Sequence, residues 1–173
     1  MLLLDREFTF LPSFMNSLLG EYTCKIDSKG RVRLPSGLLD QLPVEERDQF
    51  VIHRGFEKCL YLYPRKAWEQ EMVKVNNLDQ FDEQSRKLQR IMYRGASPIK
   101  RDNVDRLNLP NSLLSWAGIS PSGDLVLAGV NNRIEIWSAS EWEAQMNISP
   151  EEMAELAQQV MAKRNAGGVD EAN

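Results

Sequence analysis

The sequence of 173 residues has two cysteines, Cys24 and Cys59, and a single histidine, His53. A zinc site needs about four ligands at set spacings, and these three residues, with no Cys-x-x-Cys pair, do not make one. Two buried thiols in strands are the expectation. No apolar run is long enough to span a bilayer. Residues 1–4 are apolar but are interrupted at once by Asp5, Arg6 and Glu7. That is not the basic start and apolar stretch of a signal peptide, so cytoplasmic residence with no membrane partner is expected. A Gly-rich phosphate loop, a Gly-x-Ser-x-Gly elbow and a metal-ligand cluster are also missing. Glu45-Glu46 and Glu151-Glu152 suit solvation and helix capping better than paired acid–base work. The chain is therefore not expected to be an enzyme, and no cofactor is expected. An excess of positive charge is missing too: 21 Lys and Arg stand against 25 Asp and Glu, a net charge of −4. A nucleic-acid partner then depends on a local basic patch. One exists, because Lys25, Lys29, Arg31 and Arg33 are opposed only by Asp27. A second segment holds Lys100, Arg101 and Arg106 against Asp102 and Asp105.

These two segments are one motif written twice. Asp27-Ser28-Lys29-Gly30-Arg31-Val32-Arg33-Leu34-Pro35 returns as Asp102-Asn103-Val104-Asp105-Arg106-Leu107-Asn108-Leu109-Pro110. After the loss of one residue, the match resumes from Gly55 to Tyr63 and Trp68-Glu69 against Gly129 to Trp137 and Trp142-Glu143. A doubled supersecondary unit suggests a pseudo-dimer within one chain.

Within the first copy, residues 21–26 alternate as a strand, with Tyr22, Cys24 and Ile26 on one face. Asp27 to Gly30 reads as a tight turn: Asp bonds amides ahead of it, and Gly supplies a positive φ. Residues 31–34 form the return strand, with Arg31 and Arg33 beside Lys29 on one face and Val32 and Leu34 on the other. Ser36 is expected to cap a short helix to Leu42. Strands are expected at 50–52 and 60–63, followed by helices at 65–75 and 79–93, the second with Phe81, Leu88 and Met92 at helical spacing. The second copy follows the same order: strands at 97–101, 106–109, 125–128 and 133–137, with helices at 111–116 and 141–146. Ser149-Pro150-Glu151-Glu152 is a capping box with Pro at the first helical position. Behind it, Met153, Leu156, Ala157, Val160 and Met161 form an apolar stripe. The helices at 65–93 and 141–164 are the natural material for subunit contacts.

Taken together, these residues closely resemble the MraZ family from about Leu18 to Met161, and each half is similar to the SpoVT-AbrB swapped-hairpin fold. The marks are the doubled Asp-x-x-x-Arg at Asp27 to Arg31 and Asp102 to Arg106, Gly-Glu-Tyr at 20–22, Leu-Tyr-Leu-Tyr-Pro at 60–64, and Ile-Glu-Ile-Trp at 134–137. The resemblance implies an α+β, β-rich chain: two tandem swapped-hairpin AbrB-like β-barrel half-domains forming an intrachain pseudo-dimer, with peripheral helices. Residues 1–17 are then an N-terminal extension, of which 1–14 are expected to be dispensable for folding. Residues 18–94 are the first repeat, 95–165 the second with its C-terminal helix, and 166–173 a disordered tail. The implied function is a sequence-specific, nucleoid-associated transcriptional regulator of the division and cell-wall gene cluster. It would bind double-stranded DNA at promoter direct repeats as a homo-oligomeric ring. The implied DNA-binding residues are Lys29, Arg31, Arg33, Lys100, Arg101 and Arg106, with Asp27, Gly30 and Asp102 shaping the turns. Asp105 stands where the first copy has Gly30; its carboxylate is expected to repel DNA and leave the first hairpin as the stronger contact. The rival reading is a ring-forming protein-interaction scaffold without specific DNA readout. A single-copy, antitoxin-like AbrB relative is disfavoured by the doubled repeat.

Overall fold

The computed structural model describes residues 17–167, with side chains up to residue 165. The expectations for residues 1–14 and for most of the N-terminal extension lie outside the described residues. The chain divides into two compact units between Ala139 and Ser140.

The first unit opens with β1 (Glu21–Lys25), β2 (Arg31–Arg33), a short helix α1 (Ser36–Leu39), β3 (Gln49–Arg54) and β4 (Leu60–Pro64). Two helices follow, α2 (Arg65–Asn76) and α3 (Glu83–Tyr93). The second copy then supplies β5 (Ser97–Lys100), β6 (Arg106–Asn108), α4 (Asn111–Trp116), β7 (Asp124–Val130) and β8 (Arg133–Ser138). Six strands form one antiparallel sheet in the order β1-β7-β8-β4-β3-β5. The leading strand of each copy pairs with the other copy: β1 with β7, and β5 with β3. Exchanging equivalent strands reverses this order onto itself, so the connectivity is symmetric about the central β4–β8 pair. The remaining strands, β2 and β6, form a separate two-stranded ribbon.

Period-2 alternation explains which residues face the core. Phe50, Ile52, Leu60, Leu62, Leu125, Leu127, Ile134 and Ile136 point to one side of the sheet and are essentially inaccessible. They share a core with Val32 and Leu34 below β2, Leu107 and Leu109 below β6, and the leucines of α1 and α4. Burying each such side chain contributes roughly 1.5–3 kcal/mol, so the thin ribbon is anchored by its inward residues. On the opposite side of β3 and β4, Val51, His53, Tyr61 and Tyr63 are also buried, and α2 brings Trp68 and Met72 to that face. Burial on both faces is why Leu60 to Pro64 reads as a continuous apolar run.

Several expectations are corrected. Ser36 is the first helical residue rather than the cap; Pro35 takes the cap position, and no side chain bonds there. Helix α3 starts at Glu83, not Asp79. Asp82 is its cap, accepting from the Ser85 amide at 2.7 Å. Asp79 instead accepts from the Phe81 amide at 2.8 Å, which holds residues 79–81 in a turn and leaves Phe81 95% exposed. Cys59 is buried but lies in the loop before β4, and Cys24 on β1 is half-buried. In the second unit, α6 (Pro150–Gly167) follows α5 (Ala139–Met146) and runs through Ala166 and Gly167, where a disordered tail was expected. The rest of that tail lies outside the described residues. The capping box is formed: Ser149 N donates to Glu152 Oε2 at 2.8 Å, and Glu152 N donates to Ser149 Oγ at 3.1 Å.

Candidate nucleic-acid interface

Both copies of the Asp-x-x-x-Arg motif fold into the same small machine. In the first, Asp27 Oδ1 accepts from the amides of Lys29 and Arg31, each at 2.9 Å. Asp27 Oδ2 accepts from Arg31 Nε at 2.7 Å. In the second, Asp102 Oδ1 accepts from the amides of Val104 at 3.0 Å and Arg106 at 2.8 Å. Asp102 Oδ2 accepts from Arg106 Nε at 2.9 Å. One carboxylate thus closes the turn with one oxygen and holds the arginine with the other. Because Nε is the atom engaged, the outer nitrogens of the guanidinium fork remain to meet a partner.

These hydrogen bonds also hold both carboxyls below their usual range. For Asp27 the Arg31 amide is the largest cause, and for Asp102 the Arg106 amide. A depressed carboxyl stabilises the fold above its ordinary value near 3.9 and loses that contribution as pH falls through the lower folded value. Both turns are therefore expected to survive intact from neutral pH to about 4 and to open only under stronger acid. A carboxyl chemical-shift titration of Asp27 and Asp102 checks this.

Residue 30 and residue 105 both need positive φ, at 78° for Gly30 and 64° for Asp105. Gly30 also sits against the other copy: a Cβ there would lie 3.2 Å from the Leu109 carbonyl oxygen. The Leu109 amide donates to Gly30 O at 2.8 Å, and the Leu34 amide to Asp105 O at 2.8 Å. The room left by the missing side chain at Gly30 is thus taken by the chain's own backbone.

These crossed bonds bring the two copies into one ribbon. In its antiparallel register Arg31 faces Asn108, Val32 faces Leu107, and Arg33 faces Arg106. Val32 and Leu107 are fully buried, whereas Arg33 and Asn108 are exposed and Arg31 and Arg106 half-exposed. The outward face therefore carries two facing pairs, Arg31 with Asn108 and Arg33 with Arg106. Lys29 is exposed at the tip of the first turn. Asn108 was not among the expected site residues; its position two residues beyond Arg106, matching Arg33, is the signal that identifies it.

The flanking cations are placed differently. Lys100 is exposed at the end of β5. Arg101 pairs with Asp105 and with Asp48, the latter at 2.5 Å, and donates through Nε to the Arg47 carbonyl at 2.8 Å. Its guanidinium braces the second turn, and the Asp105 carboxylate expected to repel DNA is paired with it. Lys25 pairs with Asp124 on the neighbouring strand at 3.3 Å.

A second polar cluster lies on the far side of the sheet. Arg133 sits 4.1 Å over the ring of Tyr61 and pairs with Glu135 at 2.6 Å. Glu135 also accepts from Trp137 Nε1 at 3.1 Å. His53 stacks on Tyr63 beside them. Burial, and secondarily Arg133, lowers its pKa to about 4. Burial likewise pushes the Cys59 thiol and the Tyr61 hydroxyl up to about 12 each. Among the described residues no three His, Cys, Asp or Glu side chains converge as a metal site would need, and no helix is long and apolar enough to cross a membrane.

Comparison with known proteins agrees with the doubled motif. Residues 17–91 and 92–165 each match the family model described as "MraZ protein, putative antitoxin-like". A protein of Christiangramia forsetii named "Transcriptional regulator MraZ" is 36% identical over 156 residues, 90% of this chain and 99% of the relative. A protein of Flavobacterium psychrophilum with the same name is 38% identical over 87% of this chain and 96% of its own. One of Finegoldia magna, also so named, is 37% identical over 80% of this chain and 93% of its own.

Proposed function

The chain belongs to the MraZ family, and from that premise we propose that it is a sequence-specific DNA-binding transcriptional regulator whose reading head is the β2–β6 ribbon. The observation that carries this is the ribbon's outward face, where Arg31 and Arg106 are each held by a carboxylate and stand beside Arg33 and Asn108. A two-stranded ribbon fits the major groove, about 12 Å wide. Arginine forks there match guanine edges or phosphates, and an asparagine matches adenine. Lys29 at the tip and Lys100 at the side supply phosphate contacts, and Arg101 supports the second turn. Asp27 and Asp102 are positioning residues, and Gly30 provides the turn and the crossing.

On this reading the exchanged strands are those of two swapped-hairpin half-domains, 18–94 and 95–165, closed on each other as a pseudo-dimer. One ribbon presents few cations, and each phosphate contact is weakened by salt. A homo-oligomeric ring would set several ribbons against direct repeats in a promoter, raising affinity through effective concentration. The division and cell-wall gene cluster is the proposed target, and the nucleoid the proposed location. A gel shift with DNA from upstream of the protein's own gene, against scrambled DNA of equal length, tests the function. Light scattering on the same sample tests the ring. Preferential retardation of the upstream DNA by a species larger than a dimer is expected. Equal affinity for both DNAs would favour the scaffold reading.

A further inference from the structure

Nine cations of the first unit are in ion pairs: Lys25, Arg31, Arg47, Arg65, Lys66, Lys74, Arg101, Arg106 and Arg133. Lys29, Arg33 and Lys100, around the ribbon, are exposed and outside these pairs, and a further such set lies along α3 and its C-terminal cap. Lys87, Arg90 and Arg94 are exposed and have no ion-pair partner among the described residues. Lys87 and Arg90 lie on α3 and Arg94 is its C-terminal cap residue; their spacing of three and four residues sets them in a row about 10 Å long at 1.5 Å per residue.

Helix α3 is fixed against α2 by side-chain bonds. Gln89 Nε2 donates to the Val75 carbonyl at 2.8 Å, and Tyr93 Oη to Asn76 Oδ1 at 2.8 Å. Arg86 is turned back to the Gln80 carbonyl at 2.9 Å. These contacts hold α3 against α2; Arg90 borders the same cleft as Asn76, Gln89 and Tyr93, and Lys87, Arg90 and Arg94 all stay exposed. The exposed Ile91 borders one cleft with Arg94, Arg54 and Trp116, next to the end of the row.

The row also begins close to the reading head. Gly95, directly after Arg94, packs against Leu113 of α4: a Cβ there would meet Leu113 Cδ2 at 3.0 Å. Gly30, at the first hairpin turn, packs against the next residue of the same helix, Leu114, at 3.4 Å by the same measure. The hairpin tip and the end of the row thus flank one short helix, whose diameter is about 10–12 Å. Beside Gly95, whose Cβ would lie 3.9 Å from Arg54 Nε, Arg54 stacks 4.6 Å over the ring of Trp116 on α4. Arg54 and Arg94 border one cleft at the end of the row, in a chain of net charge −4.

We propose that the Lys87–Arg90–Arg94 row of α3 is a second DNA contact, which grips the phosphate backbone beside the groove entered by the ribbon. The inference rests on the DNA-binding reading above and adds a sequence-independent clamp to it. Side chains on phosphates carry no base information, so the row strengthens cognate and unrelated DNA alike. Each phosphate neutralised on duplex DNA steepens the dependence of log K on log salt by about 0.9.

The test is a salt titration of binding by the full chain carrying Lys87→Gln, Arg90→Gln and Arg94→Gln together, with the upstream duplex and its scrambled counterpart. Affinity is expected to fall by the same factor for both DNAs, and the salt dependence to flatten by up to about 0.9 for each cation removed. A companion with Arg90→Lys and Arg94→Lys keeps the charge and should retain the wild-type slope. Circular dichroism and light scattering should show both variants folded with the wild-type mass. An unchanged slope in the triple variant overturns the proposal, as does a loss confined to the cognate DNA or a change in assembly mass. Wild-type protein that retards neither DNA would instead overturn the DNA-binding reading itself.

Discussion

Arg31→Ala is expected to weaken binding to the upstream DNA by roughly 5- to 150-fold for each ribbon engaged, the equivalent of the roughly 1–3 kcal/mol of a specifying base contact. The same substitution at Arg106 is expected to cost less. Arg31 faces the neutral Asn108, so nothing in the ribbon compensates for its loss. Arg106 faces Arg33, and removing one of two facing cations relieves a repulsion between neighbouring strands. In a ring that presents many ribbons at once, the Arg31 deficit multiplies across sites. A relaxed sequence preference would mark Arg31 as a base reader. A uniform loss with a flatter salt dependence would mark it as a phosphate contact. Fluorescence anisotropy with the upstream and scrambled duplexes separates these outcomes, and circular dichroism confirms that each variant remains folded. Asp27→Ala should reproduce part of the Arg31 defect, because it frees both the turn amides and Arg31 Nε.

The second large effect is on stability and is centred on His53. In the unfolded chain this imidazole takes up a proton below about 6.5; in the native protein it does so only below about 4. Between those values the unfolded state binds the extra proton, so stability falls as the solution is acidified. The contribution is complete above pH 6.5 and shrinks by about 3 kcal/mol on the way to pH 4, after which this group adds no further change. The cause is a ring 3% exposed, packed against Tyr61, Tyr63 and Trp68, with the Arg133 charge nearby. Urea unfolding at pH 7.5, 5.5 and 4.5 should show the decline, and His53→Phe should remove most of that slope. Glu152, whose carboxyl is held below its ordinary 4.5 by its hydrogen bonds to Ser149, begins to contribute near that value, so the interval from pH 7.5 to 5.5 isolates the histidine. A wild-type midpoint unchanged between pH 7.5 and 4.5 would contradict the burial argument.

The turn chemistry was legible in the sequence, because it is local. Asp27 and Arg31 are four residues apart, and so are Asp102 and Arg106, so a carboxylate, two amides and a guanidinium meet without long-range help. The buried partners Val32, Leu34, Leu107 and Leu109 followed from alternation for the same reason. Strand partners were not legible. Alternation assigns a face to each residue but does not say which strand lies alongside. The pairings of β1 with β7, β5 with β3, and β2 with β6 all cross between copies, and with them the facing of Arg31 and Asn108. Arg101 was misleading on its own, since its carboxylate Asp48 lies far back in the sequence. The start of α3 was ambiguous because Asp79 and Asp82 are both good caps, and the choice was made by the turn that Asp79 forms with the Phe81 amide. The cluster of Arg133, Glu135 and Tyr61 joins β4 to β8 across the two copies and has no local signature.

The central claim is that the outward face of the β2–β6 ribbon enters the DNA groove. A photo-crosslinker placed at position 108, on that face and opposite Arg31, tests it most directly, with one at the exposed position 70 on α2 as the control. The account predicts crosslinks from position 108 to bases of the upstream duplex, lost on competition with unlabelled upstream DNA, and none from position 70. Retarded DNA that crosslinks equally from both positions, or not at all from position 108, would contradict it.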